Sequence, residues 1–163
     1  KGSDHMKLFV TIALIGILTA GSGFAHDFTQ GSIYLDHPMI EEAPPNAPVL
    51  GGYLSIQNIG DTDDRLVAIE SSAAEKVEIH RSTVTDGIAR MQPMKEGLVI
   101  PAGETVWLDN GTHAMFVQPA ERYRAGDEVP ATLVFEKAGR IDVTFKVEER
   151  STGSGASHEG HGQ

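Results

Sequence analysis

Two short stretches, Lys76-Val77-Glu78-Ile79-His80 and His113-Ala114-Met115-Phe116-Val117, decide how this chain folds. Both alternate apolar with polar or functional side chains, the period-2 signature of a strand with one face buried. Successive strand side chains point to opposite faces, so Val77 and Ile79 share one face and Glu78 and His80 the other. By the same rule Ala114 and Phe116 form a core pair. His113 and Met115 then stand together on the opposite face, two residues and about 7 Å apart.

Outward from these two stretches the same texture continues. Short runs of β-branched and aromatic residues recur at Ser32–Asp36, Gly52–Asn58, Arg65–Glu70, Lys76–Ser82, Ile88–Met91, Leu98–Ile100, Thr105–Asp109, His113–Gln118, Ala131–Glu136 and Arg140–Glu148. Between them lie turn residues: Gly60-Asp61-Thr62-Asp63, Asp86-Gly87, Pro101-Ala102-Gly103, Asn110-Gly111 and Ala138-Gly139. These accept positive φ or pre-set φ. No long stretch keeps a 3.6-residue apolar period, and strands at a spacing of about ten residues point to an all-β sandwich or barrel. Ala43-Pro44-Pro45-Asn46-Ala47-Pro48 reads as an extended connection. Asn110-Gly111-Thr112 reads as a hairpin turn rather than a glycosylation site.

Composition narrows the chemistry. The 163 residues include 23 acidic against 13 basic, for a formal charge of −10. No Lys/Arg cluster is present, so the electrostatic footprint of a nucleic-acid binder is missing. The acidity is instead expected to steer a basic partner face. There is no Cys, which excludes disulfides, thiolate zinc sites, iron–sulfur clusters, a thiol nucleophile and thiolate-ligated blue copper. A soft metal must therefore be held by Met and His. Ser, His and Asp all occur, but no spacing among them suggests a hydrolytic triad, so no enzyme activity is expected.

Lys1-Gly2-Ser3-Asp4-His5 reads as a cloning remnant ahead of a second beginning at Met6-Lys7. Lys7, the apolar run Leu8 to Leu18 and the small-residue ending Ser22-Gly23-Phe24-Ala25 form a secretory signal over residues 6–25. The run is too short to span a bilayer, which takes about 20 apolar residues, and no Cys is available for lipid attachment. The mature form is thus expected to be exported without stable membrane insertion. Cleavage after Ala25 makes His26 the N-terminus of a domain covering 26–150. Residues 151–163, rich in Ser, Gly and His, form a tail expected to be disordered. Its His158 and His161, three apart, can share a metal ion.

The chemistry concentrates in His80, Met91, His113 and Met115, separated by 10, 21 and 1 residues. Taken singly, the two Met fit as gap-fillers and the two His as solvated strand residues. Together they sit on outward faces near two turns, so that two hairpins meeting at one end would gather them. Thioether and imidazole make a neutral, soft, four-coordinate set suited to Cu(I), whereas carboxylate-rich sites suit Ca, Mg or Mn. In an oxidising compartment such ligands also avoid the exchange chemistry of free thiols.

At these residues the sequence resembles the periplasmic copper chaperones called PCu(A)C, whose signature is this order of His, Met, His and Met at these spacings. The resemblance extends to Gly52-Tyr53-Leu54, Val77-Glu78-Ile79-His80, Arg90-Met91-Gln92-Pro93 and Ile100-Pro101-Ala102-Gly103-Glu104-Thr105-Val106, and runs from about Gly31 to Glu148. It implies a cupredoxin-like Greek-key β-barrel, a periplasmic location and a primary Cu(I) site at His80, Met91, His113 and Met115. It further implies delivery of Cu(I) to the CuA centre of cytochrome c oxidase subunit II or to a copper assembly factor, with secondary Cu(II) binding by His158 and His161. Two features depart from the family. His37-Pro38-Met39 replaces a pattern with an aromatic and an Arg after His-Pro, which makes His37 and Met39 candidate auxiliary ligands or, for Met39, a space-filler. Met94, three residues past Met91, is a second donor candidate beside it. The alternative reading is a Cu(II) carrier or copper enzyme that uses the amine and imidazole of an N-terminal His26. A structural sandwich rests on fold class alone, and an electron-transfer cupredoxin lacks its thiolate.

Overall fold

The computed structural model describes residues 28–109 and 111–150. Eleven strands form one mixed sheet: β1 (Phe28–Gln30), β2 (Ile33–Glu41), β3 (Val49–Asn58), β4 (Asp64–Glu70), β5 (Ala74–Thr85), β6 (Ile88–Pro93), β7 (Leu98–Ile100), β8 (Thr105–Leu108), β9 (Thr112–Pro119), β10 (Glu128–Phe135) and β11 (Gly139–Glu148). The order is β6-β5-β9-β3-β2-β11-β10-β4-β7, with β1 added to β2 and β8 to β3. All pairings are antiparallel except β11 with β2. Among the described residues no helix is long and apolar enough to cross a membrane.

Alternation drives the sheet to curl around one core. Leu50, Leu54, Ile56, Ile79, Ala114, Phe116, Leu133, Val143 and Phe145 are all buried, and their strand neighbours, apart from the buried Ser55, are more exposed. The Ala114/Phe116 core pair is as the pattern requires, both fully buried. Phe116 of β9 meets Phe145 of β11 edge-to-face at 5.4 Å between ring centroids. Two strands stand between β9 and β11 in the sheet order, so this contact exists only because the sheet closes over itself. Gly52 on β3 makes room for it: a Cβ there would lie 2.8 Å from a Phe116 ring carbon.

Buried polar groups fix the connections. Asp64 accepts hydrogen bonds from the backbone N–H of Arg65 (2.7 Å), Lys137 (2.9 Å) and Ala138 (2.9 Å), tying β4 to the β10–β11 turn. Asn58 donates to the carbonyls of Thr62 and Ile100 and accepts from Gly60 N–H, closing the turn after β3. Among the described residues no buried side-chain polar atom lacks a partner.

The structure departs from the sequence expectations in four places. The Ala43–Pro48 connection is not extended: Ala47 N–H bonds the Pro44 carbonyl at 3.1 Å and Asn46 sits at φ 62°, a tight turn that Pro at its second position and Asn at its third favour. β2 does not stop at Asp36. It runs through Pro38 to Glu41 because a bulge between Asp36 and Met39 absorbs the extra residue, with His37 at φ 49°. Pro has no N–H to give the ladder, and a bulge is where a strand accommodates it. A short β1, folded back on β2 through Gly31, was not evident from the sequence. β8 and β9, which flank Gly111, do not pair with each other as the two arms of a hairpin. Both β8 and β9 pair antiparallel with the same edge of β3, β8 along residues 54–57 and β9 along residues 49–52. They therefore run in one direction, end to end, and between Leu108 and Ala114 the chain makes an excursion of several residues, of which Asn110 lies outside the described residues, where β3 has only Tyr53.

Candidate metal centre

β5 and β9 carry the two halves of the site, and their register does the gathering. His80 pairs directly with His113, and Glu78 pairs directly with Met115. Directly opposed residues of an antiparallel pair share a face, with Cβ atoms about 4.5–5.5 Å apart. Since Glu78 and His80 lie two apart on one strand, His80, His113 and Met115 all stand on the outer face, opposite Ile79 and Ala114, both buried. β6 then brings Met91. The β5–β6 hairpin turns through Asp86 and Gly87, both at positive φ (54° and 75°) as a type I′ two-residue loop requires. Its register sets Met91 opposite Ser82, two residues beyond His80 on the same face. Met91 is thus a diagonal neighbour of His80, and it is 49% exposed.

One true hairpin and one collinear excursion, rather than two meeting hairpins, bring these four side chains to one surface. Met94 does not share that surface. Its N–H bonds the Ile79 carbonyl at 2.7 Å and its side chain packs on the core.

Hydrogen bonds set which imidazole nitrogen is free. His113 Nδ1 donates to the backbone carbonyl of Asp109 at the start of the excursion, leaving Nε2 with its lone pair. His80 Nε2 donates to Glu78 Oε2 at 3.0 Å, leaving Nδ1. A histidine held by its second nitrogen against a carbonyl or carboxylate is fixed in tautomer and orientation, as metal-binding imidazoles are. The outer-face carboxylate is itself anchored: the Lys76 ammonium at 2.8 Å, and then His80, hold the Glu78 carboxyl below the usual range. The Tyr53 ring meets the His113 ring edge-on at 6.1 Å. Burial, and then the nearby Glu41 carboxylate, push the Tyr53 hydroxyl above its ordinary value against the opposing pull of Arg150.

The auxiliary candidates fall elsewhere. Met39 pairs with Tyr53, which places it on the same outer face but on β2, with β3 between it and β9. Two strand spacings are about 10 Å, too far for Met39 and His113 to share one ion's inner shell. His37 sits on the bulge, its Nε2 3.5 Å from Glu148 Oε1. Both line an open groove of about 280 Å³ with Tyr53, Trp107 and Asp109. The structure does not bring His37 and Met39 to the four-residue cluster. His26, His158 and His161 lie outside the described residues. Among the described residues, no three His, Cys, Asp or Glu side chains converge as a metal-binding group.

Sequence reasoning did not assign roles to Glu78 or Tyr53. The signal for Glu78 was its position two residues before His80 on the same face. Tyr53 gave no local signal, because its contact with His113 depends on the β3–β9 register.

The family model described as LpqE-like lipoprotein matches residues 33–147. The Leifsonia xyli subsp. xyli (strain CTCB07) protein Lxx21020, named as a lipoprotein, is 31% identical over 97 residues, which cover 59% of this chain and 58% of that protein. The chain therefore matches a little over half the length of this curated relative. Among solved structures, a copper-bound PCuAC domain from PmoF2 superposes with a TM-score of 0.65 at 24% identity, covering 76% of this chain and 98% of that one. The Cu(I) form of DR1885 from Deinococcus radiodurans gives a TM-score of 0.58 at 23% identity, covering 81% and 85%. These likenesses show the fold, which is all-β and cupredoxin-like. By the family model that spans most of its folded part, the chain belongs to the LpqE-like family, which is the PCuAC family.

Proposed function

We propose that this protein is a copper carrier: it binds Cu(I) through His80, Met91, His113 and Met115 and passes the ion to a copper-requiring protein outside the cytosol. The observation that carries the reading is the β5–β9 register, which sets His80 opposite His113 with Met115 beside them on the solvent face. Two imidazoles and two thioethers form a neutral set whose softness matches Cu(I). The copper-bound PmoF2 domain and Cu(I)-DR1885 share this fold.

The position of the site suits transfer. Met91 is half exposed on the outermost strand, so an incoming ligand can approach the ion from that side while the imidazoles hold it. A recipient ligand adds, a resident thioether leaves, and the ion passes through a shared-ligand intermediate without being released to water. The recipient implied by the family resemblance is the CuA centre of cytochrome c oxidase subunit II or one of its assembly factors. His158 and His161 supply a secondary site for Cu(II). This reading makes the protein a carrier and not an enzyme, acting after export to the periplasm.

The test is chelator competition with Cu(I) under reducing, oxygen-free conditions. Single changes of His80, Met91, His113 and Met115 to Ala should each weaken Cu(I) binding at least tenfold. Unchanged affinity in all four variants would overturn the assignment.

A further inference from the structure

The β5–β6 hairpin extends past the core: from Thr83 through Gln92 every residue is exposed. Among the described residues β6 ends the sheet on this side and its outer edge has no partner strand. The ladder parity shows which groups face outward. A two-residue type I′ turn makes its flanking pair, Thr85 and Ile88, a hydrogen-bonded one, and pairs alternate from there. The parity agrees with two observed bonds: Ser82 N–H points away from β6 to the Gly111 carbonyl (2.8 Å), and the Ile79 carbonyl points toward the β6 side, to Met94 N–H (2.7 Å). Ile88, Arg90 and Gln92 therefore bond to β5, while the backbone groups of Ala89 and Met91 point into solvent. The open backbone edge is centred on a proposed copper ligand.

The charges of the hairpin run against those of the chain. From Arg81 to Lys95 it carries Arg81, Arg90 and Lys95 against Asp86 alone, in a protein of net charge −10. Arg65, Arg122, Arg140 and Arg150 each have a carboxylate within 4 Å. Arg81 and Arg90 have none among the described residues. Arg81 pairs with Gln92 and Arg90 with Thr83, so the two guanidinium groups are diagonal neighbours on the face opposite the Met91 side chain.

From the open edge and the unpaired arginines we infer that β6 is the docking edge for an acidic extended segment of the copper recipient. This deepens the carrier reading and rests on it. A strand added to β6 bonds to the backbone of Ala89 and Met91, the β-augmentation mode of recognition. Its residues alternate between the two faces. Acidic side chains on one face meet Arg81 and Arg90. A soft ligand between them falls on the other face, beside the Met91 sulfur. The recipient motif is thus a copper ligand flanked at the neighbouring positions by carboxylates. This local basic island favours an acidic contact segment, whereas the net charge of the chain favours a basic partner face.

The experiment uses the copper-free full chain, so it is independent of the Cu(I) assignment. A ten-residue peptide, Thr-Glu-Val-Glu-His-Glu-Val-Glu-Thr-Glu, and its counterpart with Lys for every Glu are titrated against isotope-labelled protein by NMR. The acidic peptide should shift the amides of Ala89 and Met91 and bind at least tenfold more tightly than the basic one at low salt. The double variant R81E/R90E should reverse that preference while its Cu(I) affinity stays within twofold of the parent. Ala89→Pro removes an outward N–H without touching the β5–β6 ladder and should abolish the peptide-induced shift of the Met91 amide. Equal binding of both peptides, shifts centred away from β6, or self-association through β6 would each overturn the proposal. Loss of Cu(I) affinity in the four ligand variants with no change in peptide preference supports both readings. Intact Cu(I) affinity in those variants refutes the copper site alone.

Discussion

Gly52→Ala tests whether core packing under β3 and β9 holds the metal face in place. A Cβ at residue 52 would lie 2.8 Å from Cε2 of Phe116, 3.3 Å from Cβ of Ala114 and 3.4 Å from Cε1 of Phe145. Ordinary carbon contacts are about 3.5–4.0 Å, so the Phe116 ring must retreat by roughly 0.7 Å or more. It has little room, because it is fully buried and wedged against Phe145. Overpacking of this kind costs about 1–3 kcal/mol. At about 4 °C per kcal/mol for a domain of this size, the thermal midpoint should fall by roughly 4–12 °C. Phe116→Leu shortens the clashing group and alone costs about 1–2 kcal/mol through lost packing. Combined with Gly52→Ala it should recover part of the loss, a coupling of about 1 kcal/mol or more between touching residues. Because Gly52 pairs with Ala114, between His113 and Met115, the single Gly52 variant should also lose Cu(I) affinity, and the double variant should regain it. Circular dichroism melts and chelator competition measure both effects. A midpoint within 1 °C of the parent, or strictly additive losses, would refute the packing argument.

Three other perturbations follow from the same geometry. Asp64→Ala removes the acceptor of three backbone N–H groups at the β4 to β10–β11 junction and should cost about 3 kcal/mol, since hydrogen bonds to a buried charge contribute about 1.5–3 kcal/mol; denaturant titration checks it. The Arg140 guanidinium holds the Glu70 carboxyl below its ordinary range through a 2.7 Å hydrogen bond, so this pair supports the native state at neutral pH and loses its contribution as pH falls through the lowered midpoint. Arg140→Ala should therefore move the Glu70 titration upward, as read by carboxyl NMR, with only a small change in stability because both groups are exposed. Met91→Ala and Met115→Ala should weaken Cu(I) much more than Cu(II), because thioether is a soft donor; equal losses by competition titration for both ions would contradict the role given to sulfur.

What was legible in the sequence was local. The alternation around Ile79 and Phe116 and the Asp86-Gly87 turn depend on residues within a few positions of one another, and they are realised in the fold. Pairing order is not local. Nothing near Tyr53 announces that it will meet His113, and nothing in Asn110-Gly111 distinguishes a reversal from an excursion along the same edge of β3. The same turn-forming residues serve either, and the choice is made by which strand lies alongside. The bulge at His37-Pro38 was hidden for a related reason: Pro reads as a strand terminator until a partner strand is present to register the extra residue. The four-residue metal motif was visible as a spacing. The outward orientation of Met115 followed from alternation alone, but the placing of Met91 beside His80 and the anchoring of each imidazole required the register.

The central claim is that sulfur from β6 and β9 and nitrogen from β5 and β9 hold one copper ion. X-ray absorption on the Cu(I)-loaded protein tests it most directly, with His80, Met91, His113 and Met115 changed in turn. The account predicts a mixed nitrogen and sulfur inner shell whose sulfur contribution drops by about half in Met91→Ala and again in Met115→Ala, following the soft-donor preference of Cu(I). An inner shell of nitrogen and oxygen alone, unchanged in the methionine variants, would contradict it.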